Sequence, residues 1–296
     1  MQRKKRKRED TCMTDMIRFT RRNKRFKELH KHLKTLDGLV GMEDLKRSII
    51  SQIQFIITTG GKMDSHFLNT SLVGPPGTGK TTVAEMLHKI WLSLNIFDDD
   101  MPFTILHRSD FVGGYMGQSC NKTRKILNKY AGSVIFIDEA YSLMTGEKDD
   151  YGKEALDQLC AFMGEEKSNT IIIIAGYEDQ INSNFFSANP GLRRRFGWNF
   201  TIKPYTYSQL FQIFVRQLKI CGWSVDKKAE ELFRVHHKKF KNAGGDTENI
   251  CFQSKLSYSK DNWMKKRQTR HLSVSHVQKA IEDYFVDEPE TFNMYI

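Results

Sequence analysis

The chain has 296 residues, 39% hydrophobic and 27% charged, which is enough apolar material for one large domain or two modest ones. No apolar run approaches the roughly 18 residues that cross a bilayer, and the basic N-terminus has no apolar stretch behind it, so neither a membrane span nor a secretory leader is expected and the reading is an intracellular protein, cytoplasmic or nuclear. The formal net charge is +11, but residues 1 to 34 hold 14 Lys or Arg against 4 Asp or Glu, a net of +10, and the body of the chain is nearly neutral.

In chain order, residues 1–34 read as a basic tail: Arg3, Lys4, Lys5, Arg6, Lys7 and Arg8 form a run expected to be disordered, and a second basic cluster interleaved with Phe19 and Phe26 is a helix candidate. Such a tail serves as a nucleic-acid handle, as a nuclear address or as a solvated arm, and composition does not choose among them. The core is expected to begin by about Thr35, with Leu45, Ile49, Ile50, Ile53 and Ile56 at helical spacing. From residue 67 short apolar runs alternate with helical patterns. The strands are Ser71 to Val73, Phe103 to Leu106, Val134 to Ile137, Ile171 to Ala175 and Trp198 to Ile202. The helices between them carry Val83, Leu87, Ile90 and Leu94, then Ile126, Leu127 and Tyr130, then Leu156, Leu159 and Phe162. That alternation predicts an α/β domain with a five-stranded parallel sheet flanked by helices over 35–205. Beyond Pro204 the strand pattern fades, and Leu210, Phe214, Leu218, Phe233, Val277 and Ile281 predict a small helical lid domain over 206–296. Five scattered cysteines, never in a CxxC pair, are expected to stay reduced.

Two segments carry chemistry. Gly74, Pro75, Pro76, Gly77, Thr78, Gly79, Lys80 and Thr81 satisfy GxxxxGK[ST] between a strand and a helix that opens after Thr82, the context a phosphate-binding loop requires. Its glycines let backbone N–H groups turn toward phosphate oxygens, and the helix N-terminus adds its positive end. Lys80 is expected to reach the β and γ phosphates of ATP, and the Thr81 hydroxyl to ligate magnesium. The second segment, Val134 to Glu139, is a buried strand ending in adjacent carboxylates: Asp138 is expected to hold Mg2+ and Glu139 to act as general base toward the attacking water.

With these motifs in place the chain resembles the AAA+ P-loop NTPases, and within them the CbbX and SpoVK group that includes the red-type Rubisco activase. The likeness covers roughly residues 36 to 290. It rests on Leu39-Val40-Gly41-Met42, on GPPGTGKT, on Gly114-Tyr115-Met116-Gly117-Gln118, on FIDEAYSL, on IIIIAGYEDQI and on NPGLRRRF. A lineage of stand-alone ATPases from large DNA viruses is similar as well, through the stretch from Gly244 to Ser259.

The resemblance implies an Mg-ATP-dependent ATPase that works as a homo-hexamer on a macromolecular client, with Val40 and Gly41 joining the phosphate loop at the nucleotide. Arg195, directly before Phe196, is implied as the arginine finger acting on a neighbouring subunit's ATP, with Arg194 as its rival. Tyr115 and Met116 match the aromatic-hydrophobic loop that grips a protein threaded through the ring pore; the alternative is a tyrosine packed in an ordinary turn. The remaining alternative for the whole chain is a motor or clamp-loader-like ATPase acting on nucleic acid. Two departures stand out. Ala175-Gly176-Tyr177 replaces the polar residue that many relatives place at the end of the fourth strand, and Tyr177 either meets phosphate or packs. Gly244-Gly245-Asp246-Thr247 stands where the group offers an arginine at a helix start; Asp246 reads as a helix cap there, and Lys255 is a candidate substitute for the missing second sensor. His236 and His237 read as surface residues.

Overall fold

The computed structural model describes residues 12–60, 65–96, 101–115, 117–146, 148–165, 169–265 and 269–285. It divides into two compact units: the described residues up to Gly74 together with Lys80–Ile202, and Pro75–Gly79 together with the described residues from Lys203 onward.

In the first unit α1 (Met13–Arg22), α2 (Lys27–Asp37) and α3 (Glu43–Thr58) precede β1 (Thr70–Val73) and α4 (Lys80–Ser93). Then come β2 (Phe103–Leu106), α5 (Arg108–Phe111), α6 (Gln118–Lys129), β3 (Val134–Ile137), α7 (Asp150–Phe162), β4 (Ile171–Gly176), the short α8 (Glu178–Gln180) and α9 (Pro190–Arg193), and β5 (Trp198–Thr201). The five strands form one parallel sheet in the order β2-β3-β4-β1-β5. β1, β3 and β4 are buried along their whole lengths, as a parallel sheet covered on both faces requires. Every expected strand is present, and the first unit ends at Ile202.

The helix expected around Phe19 and Phe26 is present as α1 and α2, and the core, expected to begin near Thr35, begins earlier. Leu29, Leu33 and Leu36 of α2 are fully buried, Met16 and Phe26 nearly so, and they share one apolar cluster with Ile49, Ile53, Leu87, Ile90 and Trp91. The Thr20 hydroxyl and His30 Nδ1 lie 3.2 Å apart and tie α1 to α2. The physical reason is periodicity: residues 29, 33 and 36 repeat at helical spacing and face inward, while Lys31 and Lys34 between them occupy the outer face. The run Arg3 to Arg8 lies outside the described residues.

The second unit holds α10 (Tyr207–Ile220), β6 (Ser224–Val225), α11 (Glu230–His236), α12 (Ala243–Asn262), β7 (His271–Leu272) and α13 (Val274–Phe285). α10 opens on a capping box formed by Thr206 and Gln209. Its core is aromatic: the rings of Phe211, Phe214 and Phe233 meet at centroid distances of 5.2 to 6.3 Å. The short parallel pair β6-β7 has no counterpart in the sequence reading; two residues per strand are too few to make a pattern.

Candidate functional site

The phosphate loop starts where β1 ends. The Gly74 N–H donates to Gly176 O at 3.1 Å, and a Cβ at Gly74 would stand 2.6 Å from Ile202 O, so only glycine lets the chain leave the sheet here. Gly77 and Gly79 take φ values of +66° and +88°, left-handed conformations that glycine adopts without steric cost. Within the second unit, the Thr78 hydroxyl donates to Pro75 O at 2.7 Å and the buried Tyr205 hydroxyl donates to Thr78 O at 3.0 Å. Gly244 N–H donates to Gly77 O at 3.0 Å, and a side chain at Gly77 would collide with Asn242 O at 1.8 Å.

Lys80 opens α4, followed by half-buried Thr81 and exposed Thr82. Its Nζ donates to Gly74 O at 2.9 Å and lies 5.6 Å over the Tyr177 ring. Burial lowers the Lys80 pKa, and the charges of Asp138 and Glu139 oppose that shift, which places both carboxylates within electrostatic reach of the ammonium. Lys80, Asp138 and Glu139 are thus gathered at the carboxyl ends of β1 and β3. Glu139 is exposed, with its backbone at φ 48° and ψ 44°, a left-handed conformation unusual for a residue with a side chain, and its N–H donates to Asp138 Oδ1 at 3.0 Å. A hydroxyl and a carboxylate are the hard oxygen donors that suit Mg2+, so Thr81 and Asp138 fit the ion; when bound it would supply charge neutralisation for phosphate oxygens.

Several residues that support this site escape sequence reasoning. Arg108 donates from Nη1 to Ser142 O at 2.7 Å and to Leu143 O at 2.6 Å, and from Nη2 to Asp149 Oδ2 at 2.9 Å, clamping the turn that follows Glu139. Burial would raise the Asp149 pKa, but hydrogen bonds from Thr145, Gly152 and Arg108 hold it down at about 2. No short-range pattern marks a clamp made across 34 residues. Tyr141 stacks on Tyr177 with centroids 5.4 Å apart and an interplanar angle of 22°, so Tyr177 packs. Buried Lys46 donates to Asp37 O at 3.1 Å, Leu39 O at 2.8 Å and Glu43 Oε1 at 3.3 Å. It pins the loop on which half-buried Val40 and Gly41 sit, with Gly41 and Met42 left-handed.

The other expected residues are distributed as follows. Arg193 donates to Asn182 Oδ1 at 2.6 Å and stacks 4.6 Å over Phe186. Half-buried Arg195 donates to Gly191 O at 2.9 Å, and Arg194 is exposed. Tyr115 is 73% exposed, and Met116 lies outside the described residues. Asp246 is not the N-cap of α12; that position is Asn242, whose N–H the buried Asp246 carboxylate accepts at 2.7 Å from inside the first turn, while the Tyr284 hydroxyl donates to Asp246 Oδ1 at 2.9 Å. The helix rise of 1.5 Å per residue places Lys255 about 16 Å along α12 from Gly244, too far to replace a sensor at the helix start. His237 is half-buried rather than on the surface, its Nε2 2.9 Å from Tyr205 O. All five cysteines are free, and no group of three or more potential metal ligands among His, Cys, Asp and Glu occurs among the described residues.

Known proteins resemble this chain in sequence and fold. The model of the ATPase family associated with various cellular activities (AAA) matches residues 70–202. The chain is 36% identical over 203 residues to stage V sporulation protein K of Bacillus subtilis, covering 67% of this chain and 62% of that protein. It is 30% identical over 236 residues to a CfxQ-like protein of Acanthamoeba polyphaga mimivirus, covering 78% of this chain and 58% of that one. The chain therefore spans about three fifths of the length of these relatives. The AAA domain of FIGL-1 in complex with ADP superposes with a TM-score of 0.57 at 21% identity, covering 83% of each chain, a likeness of fold.

Proposed function

This chain belongs to the family of ATPases associated with various cellular activities, in the group of SpoVK and the CfxQ-like proteins, and from that premise we propose that it hydrolyses Mg-ATP to remodel a protein partner. The observation that supports the catalytic part is that Lys80, directly after the glycine loop in the chain, feels the charges of Asp138 and Glu139. In this reading the loop holds the phosphates and Lys80 exchanges its bond to Gly74 O for one to the β and γ phosphates. Glu139 accepts a proton from water as the water oxygen bonds to the γ-phosphorus. The bond to the bridging oxygen breaks, and ADP leaves with the electron pair. Arg195 of a neighbouring subunit in a hexameric ring stabilises the charge on the γ-phosphoryl group. Tyr115, exposed on a glycine-flanked loop, supports a pore residue that grips an extended chain.

The test separates binding from chemistry. Glu139→Gln is expected to keep ATP affinity and lose about 10² to 10⁴ in kcat, whereas Lys80→Ala weakens nucleotide binding. If both variants hydrolyse ATP like the parent, the active-site assignment fails. A second reading, an ATPase acting on nucleic acid, is favoured by one observation: α1, α2 and the turn between them expose Arg18, Arg21, Arg22, Lys24, Arg25 and Lys27 together with Phe19, which is 46% exposed.

A further inference from the structure

We propose that Tyr205 and Asp246 are positioning residues for nucleotide binding: from the second unit they set the two peptide planes of the phosphate loop whose N–H groups meet the phosphates. The inference rests on the reading of the glycine loop as the ATP site and concerns what gives that loop its shape.

Pro75–Gly79 pack with the second unit, although Gly74 before them and Lys80 after them belong to the first. A loop of this kind binds phosphate through backbone N–H groups, so its affinity depends on where its peptide planes point. In a planar trans peptide the carbonyl of one residue and the N–H of the next point in opposite directions, and no cis peptide occurs among the described residues. The Gly77 carbonyl accepts from Gly244 N–H at 3.0 Å, which turns the Thr78 N–H away from α12. The Thr78 carbonyl accepts from the Tyr205 hydroxyl at 3.0 Å, which turns the Gly79 N–H away from Tyr205. Two consecutive N–H groups are therefore aimed by contacts from outside the loop.

Each contact is held in turn. Tyr205 is buried and its carbonyl lies 2.9 Å from His237 Nε2; burial pushes its pKa up to about 12, so the hydroxyl keeps its proton and remains a donor. Gly244 lies in the first turn of α12, and the buried Asp246 carboxylate braces that turn by accepting from Asn242 N–H at 2.7 Å and from the Tyr284 hydroxyl at 2.9 Å. The Gly244 carbonyl accepts from the Thr247 hydroxyl at 2.8 Å and from Gln217 Nε2 at 3.2 Å. The approach to the loop is backbone to backbone: a Cβ at Gly244 would stand 2.8 Å from Gly77 O, as a Cβ at Gly77 would collide with Asn242 O. Even a methyl group is thus excluded at 244, where the resemblance leads to an arginine near the helix start, and the carboxylate two residues on serves the backbone contact instead.

The experiment titrates ADP and ATP into the full chain and measures kcat and KM alongside. Tyr205→Phe removes only the hydroxyl; it is expected to weaken both nucleotides about five- to tenfold, the order of one hydrogen bond, with kcat at saturating ATP within about twofold of the parent. Gly244→Ala sets a methyl group against Gly77 O and is expected to weaken them at least as much, whereas Gly245→Ala, whose Cβ would have its nearest neighbour 3.9 Å away, is expected to bind like the parent. Asp246→Ala is expected to follow Gly244→Ala, and the two combined to lose no more than either alone, because both free the same turn. Parental affinity in Tyr205→Phe and Gly244→Ala overturns the proposal, as does a loss confined to kcat, or an equal loss in Gly245→Ala. Lys80→Ala in the same titration distinguishes the two levels. If it weakens binding while Tyr205→Phe and Gly244→Ala do not, the site stands and the contacts from the second unit carry nothing; if it binds both nucleotides like the parent, the ATP-site reading itself falls.

Discussion

At the carboxyl ends of β1 and β3 the charges of Lys80, Asp138 and Glu139 act on one another, whereas on α1 and α2 the charges face away from the protein and the apolar side chains beneath them carry the contacts. Both regions are dense in ionisable residues, and charge density alone does not separate them. Placement does. A carboxylate pair at the end of a buried strand has no packing role to fulfil and acts on the charge of Lys80, so it stands out by position. Lysines on a helix cover an apolar stripe with their stems, and the stripe is what matters for folding.

The arginines of Arg193-Arg194-Arg195 give the largest effect by which this contrast can be broken, since they follow neither pattern. Arg193 is engaged with Asn182 and Phe186, Arg195 with Gly191 O, and Arg194 is exposed. With one edge fixed by that carbonyl, the Arg195 guanidinium has donors left for a neighbouring subunit's phosphate. Arg195→Ala is expected to lower hydrolysis by about 10³ to 10⁵ with ATP binding nearly intact, and mixing it with Glu139→Gln subunits to restore part of the activity. A full loss in Arg194→Ala with none in Arg195→Ala moves the role by one residue and leaves Arg195 as a staple on its own turn. A fully active monomer excludes action in trans altogether.

A smaller effect, on stability, sharpens the other side of the comparison. Leu33 is fully buried in the cluster that contains Ile90 and Trp91, so Leu33→Ala is expected to cost about 2 to 5 kcal/mol in chemical denaturation. Lys34→Ala, one residue away and exposed, is expected to stay within about 0.5 kcal/mol of the parent. Equal and small effects at both positions would restore the reading of a dispensable tail. For the same reason a deletion through residue 34 removes Leu29 and Leu33 and opens the core, whereas a deletion through residue 11 leaves the described helices complete.

The sheet was legible because β3 and β4 are apolar runs and the shorter strands recur between helical patterns, and the phosphate loop because its spacing is fixed by the geometry of a phosphate. The burial of the N-terminal helices was obscured by composition: three leucines spaced four and three apart are outnumbered by the cations around them. Arg108 and Lys46 were illegible for another reason. Each acts through bonds to backbone carbonyls, which carry no residue-type signature, and Arg108 makes its bonds across more than thirty positions. Tyr141 lay inside a recognised motif, but its stack on Tyr177 joins positions far apart in the chain and leaves no local pattern.

The smallest effect concerns the outer face of α1 and the turn after it, where Arg18, Arg22 and Lys24 border a groove with Phe19 and Asn23. Changing these three cations to glutamine leaves the apolar stripe intact, so folding and ATP hydrolysis are expected to be unchanged. If a nucleic-acid backbone lies on this face, duplex DNA affinity measured across a salt series should fall, and its salt slope should shrink by about 0.9 for each phosphate that is no longer neutralised, up to about 3 in all. Phe19→Ala should then weaken single-stranded binding more than duplex binding, because a ring 46% exposed is free to stack on an unpaired base. Unchanged affinity in the triple variant places any nucleic-acid site elsewhere. Binding that persists there and varies with ATP would favour the nucleic-acid motor over the protein remodeller. A salt-sensitive loss with unchanged hydrolysis makes the N-terminal pair a folded handle whose grip is electrostatic and whose inner face is core.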